Sequence, residues 1–428
     1  MFSRRVVVVG TTADYIDLIR RRFPGRALFL TDPAERAAAA EPAPEPPDEV
    51  LCDLARPGDV LERLDRHLGR HRIAPAGVAA FDCESMALAA HLGARLSLPY
   101  PSAESVAACR SKFASKQLWR RAGVPCPEAE LVANADQAAA FLDRASGPVV
   151  LKPVTGSGSE LLFVCSNAAE CAAAVATMKE RLARHANDRM YARCEQDGRR
   201  FDPRDVFIIE QFVRGPEFSC DFTIDDGAVR VIRIARKIPA PRQPPGTTWA
   251  YVVPAELPAE ISPDAFRRQL LAAARAVGLD RALCMLDFIV DDGRAVLIEI
   301  APRPGGDCLP PLLRHSAGLD MIGLALDFAE GKSMIMDEPT FRLLVGVRFF
   351  AENGGVICGI EDDGVRTDPR VVECRLKARP GRRVVLPPLD YDSRILGYAV
   401  FEPSSPDSIE SECADIDAKL HIEFEPGG

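Results

Sequence analysis

The sequence predicts a mixed fold, α/β at the N-terminus and α+β beyond it, on three observations. Strand-like and helix-like runs alternate over residues 1–109, which argues a βαβ sheet. The middle segment carries a strand, a Gly/Ser turn and a strand ("VVLKPVTGSGSELLFV"), then two hairpins with the same Asp-Asp-Gly turn. Residues 340–428 again read mainly β ("LLVGVRFF", "VVECRLKA", "RILGYAVF") and close with a helix.

Each element has a local cause. "RRVVVVG" is a continuous apolar run, the mark of a parallel strand covered on both faces. The helix "DYIDLIRRRF" follows it. "RALFLTD", "DEVLCDL" and "PAGVAAFD" supply further strands, with the helix "GDVLERLDRHLGRHR" before the last. The Ala-, Glu- and Pro-rich run between Pro33 and Pro47 predicts a mobile connection. The turn "GTTADY" lacks Gly-x-Gly-x-x-Gly, so the dinucleotide fingerprint is absent. His67 and His71 have metal-ligand spacing on their helix, but no third ligand accompanies them; a solvated helix face is the simpler reading. "SKFASKQLWRRAGVPCP" is a helix ending at Gly123, and "AAECAAAVATMKERLARH" is a long helix. Residues 187–205 are poor in apolar side chains and predict a flexible insertion. "VFIIEQFV" is a buried strand. In both hairpins the loop is read as three residues with Gly in the left-handed position.

Composition excludes several classes. A chain of 428 residues suggests roughly three domains. Its net charge of −9 does not favour a nucleic-acid partner. The 13 cysteines are scattered through apolar runs without a Cys-x-x-Cys pair. That pattern reads as small buried hydrophobes in a reducing compartment rather than disulfides or zinc ligands. No apolar stretch reaches the ~18 residues needed to span a bilayer, and the start lacks a signal-peptide core. The expectation is a cytoplasmic protein with no membrane partner.

The second hairpin, "CMLDFIVDDGRAVLIEI", is the informative one. With a three-residue loop, Asp287 faces Leu297 and Glu299 faces Met285. The two acids then share a face as diagonal neighbours, ~7–8 Å apart; a two-residue loop puts them on opposite faces. Converging carboxylates repel each other unless a cation lies between them. Oxygen ligands in that arrangement suit magnesium, which also takes phosphates and water. Two solvated acids on an exposed face is the competing reading. The apolar neighbours Leu286, Ile298 and Ile300 argue against it.

Phosphates need donors and cations. Lys152 closes a strand, and Thr155, Gly156, Ser157, Gly158 and Ser159 follow as a turn whose backbone N–H groups can wrap an anion. No Gly-x-x-x-x-Gly-Lys-Ser/Thr motif is present, so this is not a P-loop chain. The ordered set is Lys112, Lys152 with its loop, Glu210 and Glu217 in "FIIEQFVRGPEFS", Asp287 in "MLDF", and Glu299 and Arg303 in "LIEIAPRPGG". In this order, and through its whole length, the chain resembles the ATP-grasp superfamily. Within it, the resemblance is to carboxylate–amine ligases of the L-amino-acid (dipeptide) ligase and biotin-carboxylase type.

The resemblance implies an ATP-grasp fold in three domains: a βαβ domain over 1–109, an ATP-grasp domain over 110–335 with a lid at about 148–214, and a β-rich domain over 336–428. It implies ATP with magnesium, or manganese in its place. Lys112 and Lys152 would contact phosphates under the 155–159 loop. Glu210 would accept from the adenine amino group, with Gln211, Phe212 and Val213 along the ring edge, and Glu217 would hold the ribose. Asp287 and Glu299 would hold the metal, Arg303 the phosphoryl group in flight, and Arg236 or Lys237 a further phosphate contact. The catalytic set implied is Arg303, Lys152 and Glu299. Three positions depart from the family pattern: Ser111 before the first lysine, "ELL" after the loop, and Ala301 where an asparagine ligand is common.

The implied reaction is ADP-forming C–N ligation. A carboxylate attacks the γ-phosphorus, and an amine then attacks the acyl phosphate. The partners are a small carboxylate and a small amine, expected to be amino acids, with Trp249, His315 and Asp307 as candidates to line the amine pocket. Relatives of this kind form dimers, and the resemblance carries that expectation. The alternatives are a bicarbonate-activating, biotin-carboxylase-like enzyme and a non-catalytic ATP-binding protein. The chain has no biotinyl segment, and it keeps Asp287, Glu299 and Arg303.

Overall fold

The computed structural model describes residues 2–185, 189–196, 198–333 and 339–425. Strands β1 (Ser3–Val9), β2 (Ala27–Thr31), β3 (Glu49–Leu51) and β4 (Ile73–Ala79) form a parallel sheet in the order β3-β2-β1-β4. The valine run of β1 is buried on both faces because successive side chains point opposite ways. Val6 and Val8 pack with Ile16, Ile19 and Leu312, whereas Val7 and Val9 pack with Val60, Leu64 and Leu92. The run from Pro33 to Pro47 is more ordered than expected. A short helix, Pro33–Ala38, is capped by Asp32, which accepts from the Ala34 N–H at 2.8 Å. Arg36 then ties it to Glu49.

Strands β5 (Ala129–Val132), β6 (Val149–Pro153) and β7 (Phe163–Cys165) belong to a second sheet. A small hairpin, β8 (Cys194–Gln196) with β9 (Arg199–Phe201), lies within the stretch expected to be a flexible insertion; residues 186–188 and 197 are outside the described residues. β10 (Phe207–Gln211) completes the second sheet, which is antiparallel in the order β5-β10-β6-β7.

The largest sheet uses β11 (Glu217–Asp225), β12 (Ala228–Pro239), β13 (Thr248–Val253), β14 (Ala282–Asp291), β15 (Arg294–Ala301) and β16 (Leu344–Phe350). After β17 (Gly355–Glu361), it also takes in β18 (Val371–Leu376) and, past β19 (Arg383–Val384), β20 (Ile395–Phe401). Its order is β15-β14-β11-β12-β13-β16-β20-β18. β16 pairs directly with β13, so this sheet is continuous across the boundary expected at 335/336, which itself lies outside the described residues. The chain does not close on its last helix, Ile409–Asp417: β21 (His421–Phe424) follows and pairs with β17.

Candidate active site

Four charged residues lie in a row across one face of four adjacent strands. Lys237 on β12 is opposite Glu217 on β11; Asp287 on β14 is opposite Ser219, two residues from Glu217; Glu299 on β15 is directly opposite Asp287. The route to that last pairing differs from the expectation. Asp291 pairs with Arg294, so the loop is only Asp292-Gly293, both at positive φ (47° and 70°), the geometry of a two-residue type I′ turn. Such a loop alone puts the two acids on opposite faces. A register shift between Asp287 and Phe288 leaves Ile298 unpaired, and this one-residue bulge restores the shared face. The first hairpin is built likewise, with Asp226-Gly227 as its loop and a shift between Asp221 and Phe222.

Electrostatics hold this row together. Lys237 Nζ lies 2.9 Å from Asp287 Oδ2 and also pairs with Glu217. Burial opposes its charge, but Asp287 and Glu217 hold it well above the usual lysine range. Burial, with Glu299 and Glu217 adding to it against Lys237, pushes the Asp287 carboxyl up to about 6. Burial also works to raise Glu299, yet Lys112 and Lys152 carry it below the ordinary range. Asp287 and Glu299 are therefore the pair that could hold a divalent cation. Ala301, opposite Met285, adds no ligand, and no group of three or more metal-ligating side chains occurs among the described residues.

A second cluster faces them. Lys152 on β6 is opposite Ile208 on β10, and Glu210 is two residues further along, so the two side chains are diagonal neighbours on one face. Lys152 pairs with Glu210 Oε1, and Lys116 approaches Oε2 at 2.9 Å. All three are at least nine-tenths buried. Burial favours a neutral Glu210, but Lys116 and Lys152 hold its carboxyl below the usual range. The adenine contact expected of Glu210 would have to share a carboxylate already engaged by two lysines. Lys116, which also donates to the Ile298 carbonyl at 2.7 Å, was not singled out from the sequence. Its signal was there, because it lies one helical turn after Lys112 on the same face of the helix Lys112–Arg121. Ser111 caps that helix, accepting from the Ala114 N–H at 3.1 Å, while Lys112 Nζ donates to the Gly156 carbonyl at 2.9 Å.

The charged row and Lys112, Lys152 and Glu210 line a cavity of about 640 Å³; Lys116 and Ser111 lie behind its lining. It contains every expected nucleotide residue: Lys112, Lys152, the loop Thr155–Ser159, Glu210 to Val213, Glu217, Arg236 and Lys237, with Asp287 and Glu299 at one end. The Phe212 N–H is committed to the Pro148 carbonyl (3.1 Å), which leaves Val213 as the backbone donor of that pair. Lys237 engages the carboxylates, while Arg236 borders the cavity. Thr155 Oγ1 is buried with no hydrogen-bond partner among the described residues, so this wall offers a hydroxyl as well as cations.

Arg303 belongs to a second cavity of about 400 Å³ that shares Lys112, Gly156–Ser159, Asp287 and Glu299 with the first. Its Nε and Nη2 each donate to Cys83 Sγ at 3.3 Å, and Nη1 donates to the Pro304 carbonyl at 2.8 Å. The loop behind it is anchored in the core, where the Gly305 N–H donates to Asp221 Oδ1 (3.0 Å) and Asp221 Oδ2 accepts from Arg233 Nε (2.8 Å). A Cβ on Gly305 would stand 2.7 Å from Arg233 Nη2, whereas Gly306 has open space beside it. Asp307 lines this cavity, next to Tyr251 (3.3 Å) and Arg348 (3.4 Å). Trp249 and His315 do not line it: Trp249 packs in the core beside Val347, and His315 contacts Glu373 at 2.7 Å.

Residues 145–311 match the family model of the ATP-grasp domain. The chain has the ATP-grasp fold. An L-amino acid ligase from Bacillus licheniformis superposes on it with a TM-score of 0.79 at 19% identity, over 100% of both chains. Among curated proteins, y4rH of Sinorhizobium fredii, described as uncharacterized, is 27% identical over 397 residues, 90% of this chain and 75% of that protein. A D-alanine--D-alanine ligase from Delftia acidovorans is 25% identical over 260 residues, 57% of this chain and 71% of its own. Lys152, Glu210, Glu217, Lys237, Asp287 and Glu299 lie within the matched segment, and Lys112 and Lys116 precede it.

Proposed function

We propose that the protein is an ATP-dependent ligase that activates a carboxylate as an acyl phosphate and joins it to an amine, releasing ADP and phosphate. One observation carries this reading: the nucleotide-sized cavity and the second cavity meet at Lys112, Asp287 and Glu299. A γ-phosphate placed at that junction faces a compartment with room for a second and a third reactant. The names of the structural neighbour and of the Delftia relative agree with it.

In this reading the first cavity takes ATP, with Lys112 and Lys152 on the phosphates and the buried Thr155 hydroxyl beside them. Asp287 and Glu299 would hold magnesium, which supplies charge neutralisation on the phosphate oxygens. The transfer itself asks mostly for position and charge. Arg303 lines the second cavity, which includes the junction residues, and its planar fork would suit the leaving phosphate and the tetrahedral oxyanion. Asp307 and Arg348 offer a carboxylate and a guanidinium to the head group of the amine substrate. The strands over residues 148–214 form a lid that keeps the acyl phosphate from water.

The test is a pairwise panel of amino acids with magnesium and ATP, read by phosphate release and mass spectrometry. The expected result is ADP, phosphate and an amide with the right pair only. AMP and pyrophosphate as products would overturn the acyl-phosphate reading.

A further inference from the structure

The second cavity holds a carboxyl group that no step above uses. Asp82 lies on the loop after β4, beside the Gly10–Thr12 loop that follows β1. The sheet order β3-β2-β1-β4 changes direction between β1 and β4. The crevice outside the carboxyl ends of such a strand pair is where open parallel sheets hold ligands. Two contacts set the carboxylate there. Oδ1 accepts the Ser85 backbone N–H at 2.7 Å. Oδ2 looks onto Gly10, where a Cβ would stand 3.2 Å from it and 2.0 Å from Ser85 Oγ. Gly10 (φ +65°) thus makes room for the Ser85 hydroxyl beside Asp82, and the carboxyl meets the second cavity as part of its lining. The next residue, Cys83, is the one that receives the Arg303 guanidinium, so Asp82 is one residue from the anchor of the group assigned to the acyl phosphate.

The chemistry calls for a proton acceptor at this place. An amine reaches the acyl phosphate as an ammonium and has no lone pair to attack with until it loses a proton. Lys112, Lys152 and Arg303 are cations, and Asp287 and Glu299 are committed to the metal end of the junction. Resting on the ligase reading, we propose that Asp82 is the general base of the amine step, taking a proton from the substrate ammonium so that the freed nitrogen lone pair can attack the acyl carbon. The nitrogen lone pair forms the C–N bond, and the C–O bond to phosphate breaks with its electron pair on the departing oxygen. One ammonium proton goes to Asp82; the second, shed as the amide forms, leaves with the phosphate.

The groups facing Asp82 fit this role. They are Glu84 and Ser85 on its own loop, Arg189, Arg110 and Tyr100, and Arg303. Burial, with the Glu84 charge adding to it, pushes the Asp82 carboxyl up to about 6. It is therefore ionised at neutral pH yet more basic than an ordinary aspartate, the range in which a general base works best. Below about pH 6 it carries the proton already, and the amine step should slow.

The experiment separates the two half-reactions with hydroxylamine as probe. Hydroxylamine is largely unprotonated at neutral pH and converts an acyl phosphate to a hydroxamate without a base. Wild type, Asp82→Asn and Asp82→Glu are compared for the amide-to-hydroxamate ratio at pH 7 to 9, where hydroxylamine is unprotonated, and for the amide rate alone over pH 5 to 9, with the twenty amino acids as acyl donors. The expected result is a fall of about 100-fold in the amide-to-hydroxamate ratio for Asp82→Asn, partial rescue by Asp82→Glu, and loss of the limb near pH 6 in Asp82→Asn. Hydroxamate from wild type with an unchanged ratio in Asp82→Asn overturns this inference alone, as does a wild-type amide rate that stays flat through pH 6. Neither product from wild type with any amino acid overturns the ligase reading, and this inference with it.

Discussion

The two cavities are built in different ways. The nucleotide cavity is made by residues between Lys112 and Glu299, joined by Glu410, and its charged residues Lys152, Glu210, Glu217, Lys237, Asp287 and Glu299 stand on strands whose register sets their faces. The second cavity is assembled from segments far apart in the chain: Thr11 and Asp82, then Arg303 and Asp307, then Arg348, Arg375 and Lys377. In the first, backbone hydrogen bonding fixes where the charges go. In the second, side chains from three regions must be brought together by packing. The difference teaches that charge placement in the first cavity is local and robust, while that in the second depends on the anchors beneath it.

Breaking an anchor should therefore have the largest effect on stability. Asp221 and Arg233 are fully buried and tie the Gly305 loop to the sheet. Arg233→Ala leaves a buried carboxylate uncompensated and should cost about 3–5 kcal/mol, seen as a lower urea midpoint. Glu210→Gln breaks the corresponding anchor of the nucleotide cavity, leaving Lys116 and Lys152 without their counter-charge, and should weaken ADP binding in calorimetry by about tenfold or more. Its pH signature has a definite sign. The Glu210 carboxyl is held below its ordinary value, so its share of stability is present above the ordinary carboxylate range and is lost as pH falls through its lowered value. Glu210→Gln should flatten that acid limb of the stability curve.

Asp307→Asn probes the second cavity alone. It should raise KM for the amine by about tenfold while ADP affinity stays unchanged, because a charge-assisted contact is worth about 1.5–3 kcal/mol. An equal loss of ADP affinity would erase the distinction between the two cavities. The smallest effect is expected at Ser111, the helix cap before Lys112. Ser111→Ala should cost about 1 kcal/mol of stability, measured by thermal melting.

Much of the nucleotide cavity was legible because strands and turns leave local marks. Lys152 before Thr155–Ser159, and "IIEQFV" before Glu217, could be placed without knowing the rest of the chain. The pairing of Asp287 with Glu299 was reached by an incorrect register: the loop has two residues, and the bulge at Ile298 that compensates has no mark in composition. Lys116 was passed over because a lysine on a helix usually points to solvent; here Glu210, on a strand nearly a hundred residues later, makes its burial tolerable. Asp82 and Cys83 were hidden for the same reason. The run "FDCES" looks like an ordinary strand end until Arg303 arrives 220 residues away. Trp249 and His315 show the converse, since residue type alone suggested a site and packing put them elsewhere.

The central claim is that a carboxylate in the second cavity takes the γ-phosphoryl group at the Asp287–Glu299 junction. The measurement that tests it most directly uses the substrate pair found in the panel, with both carboxylate oxygens of the acyl donor labelled with ¹⁸O. Mass spectrometry of the released phosphate should find one ¹⁸O atom per phosphate, and ADP as the nucleotide product. Unlabelled phosphate, or label appearing in AMP, would contradict it.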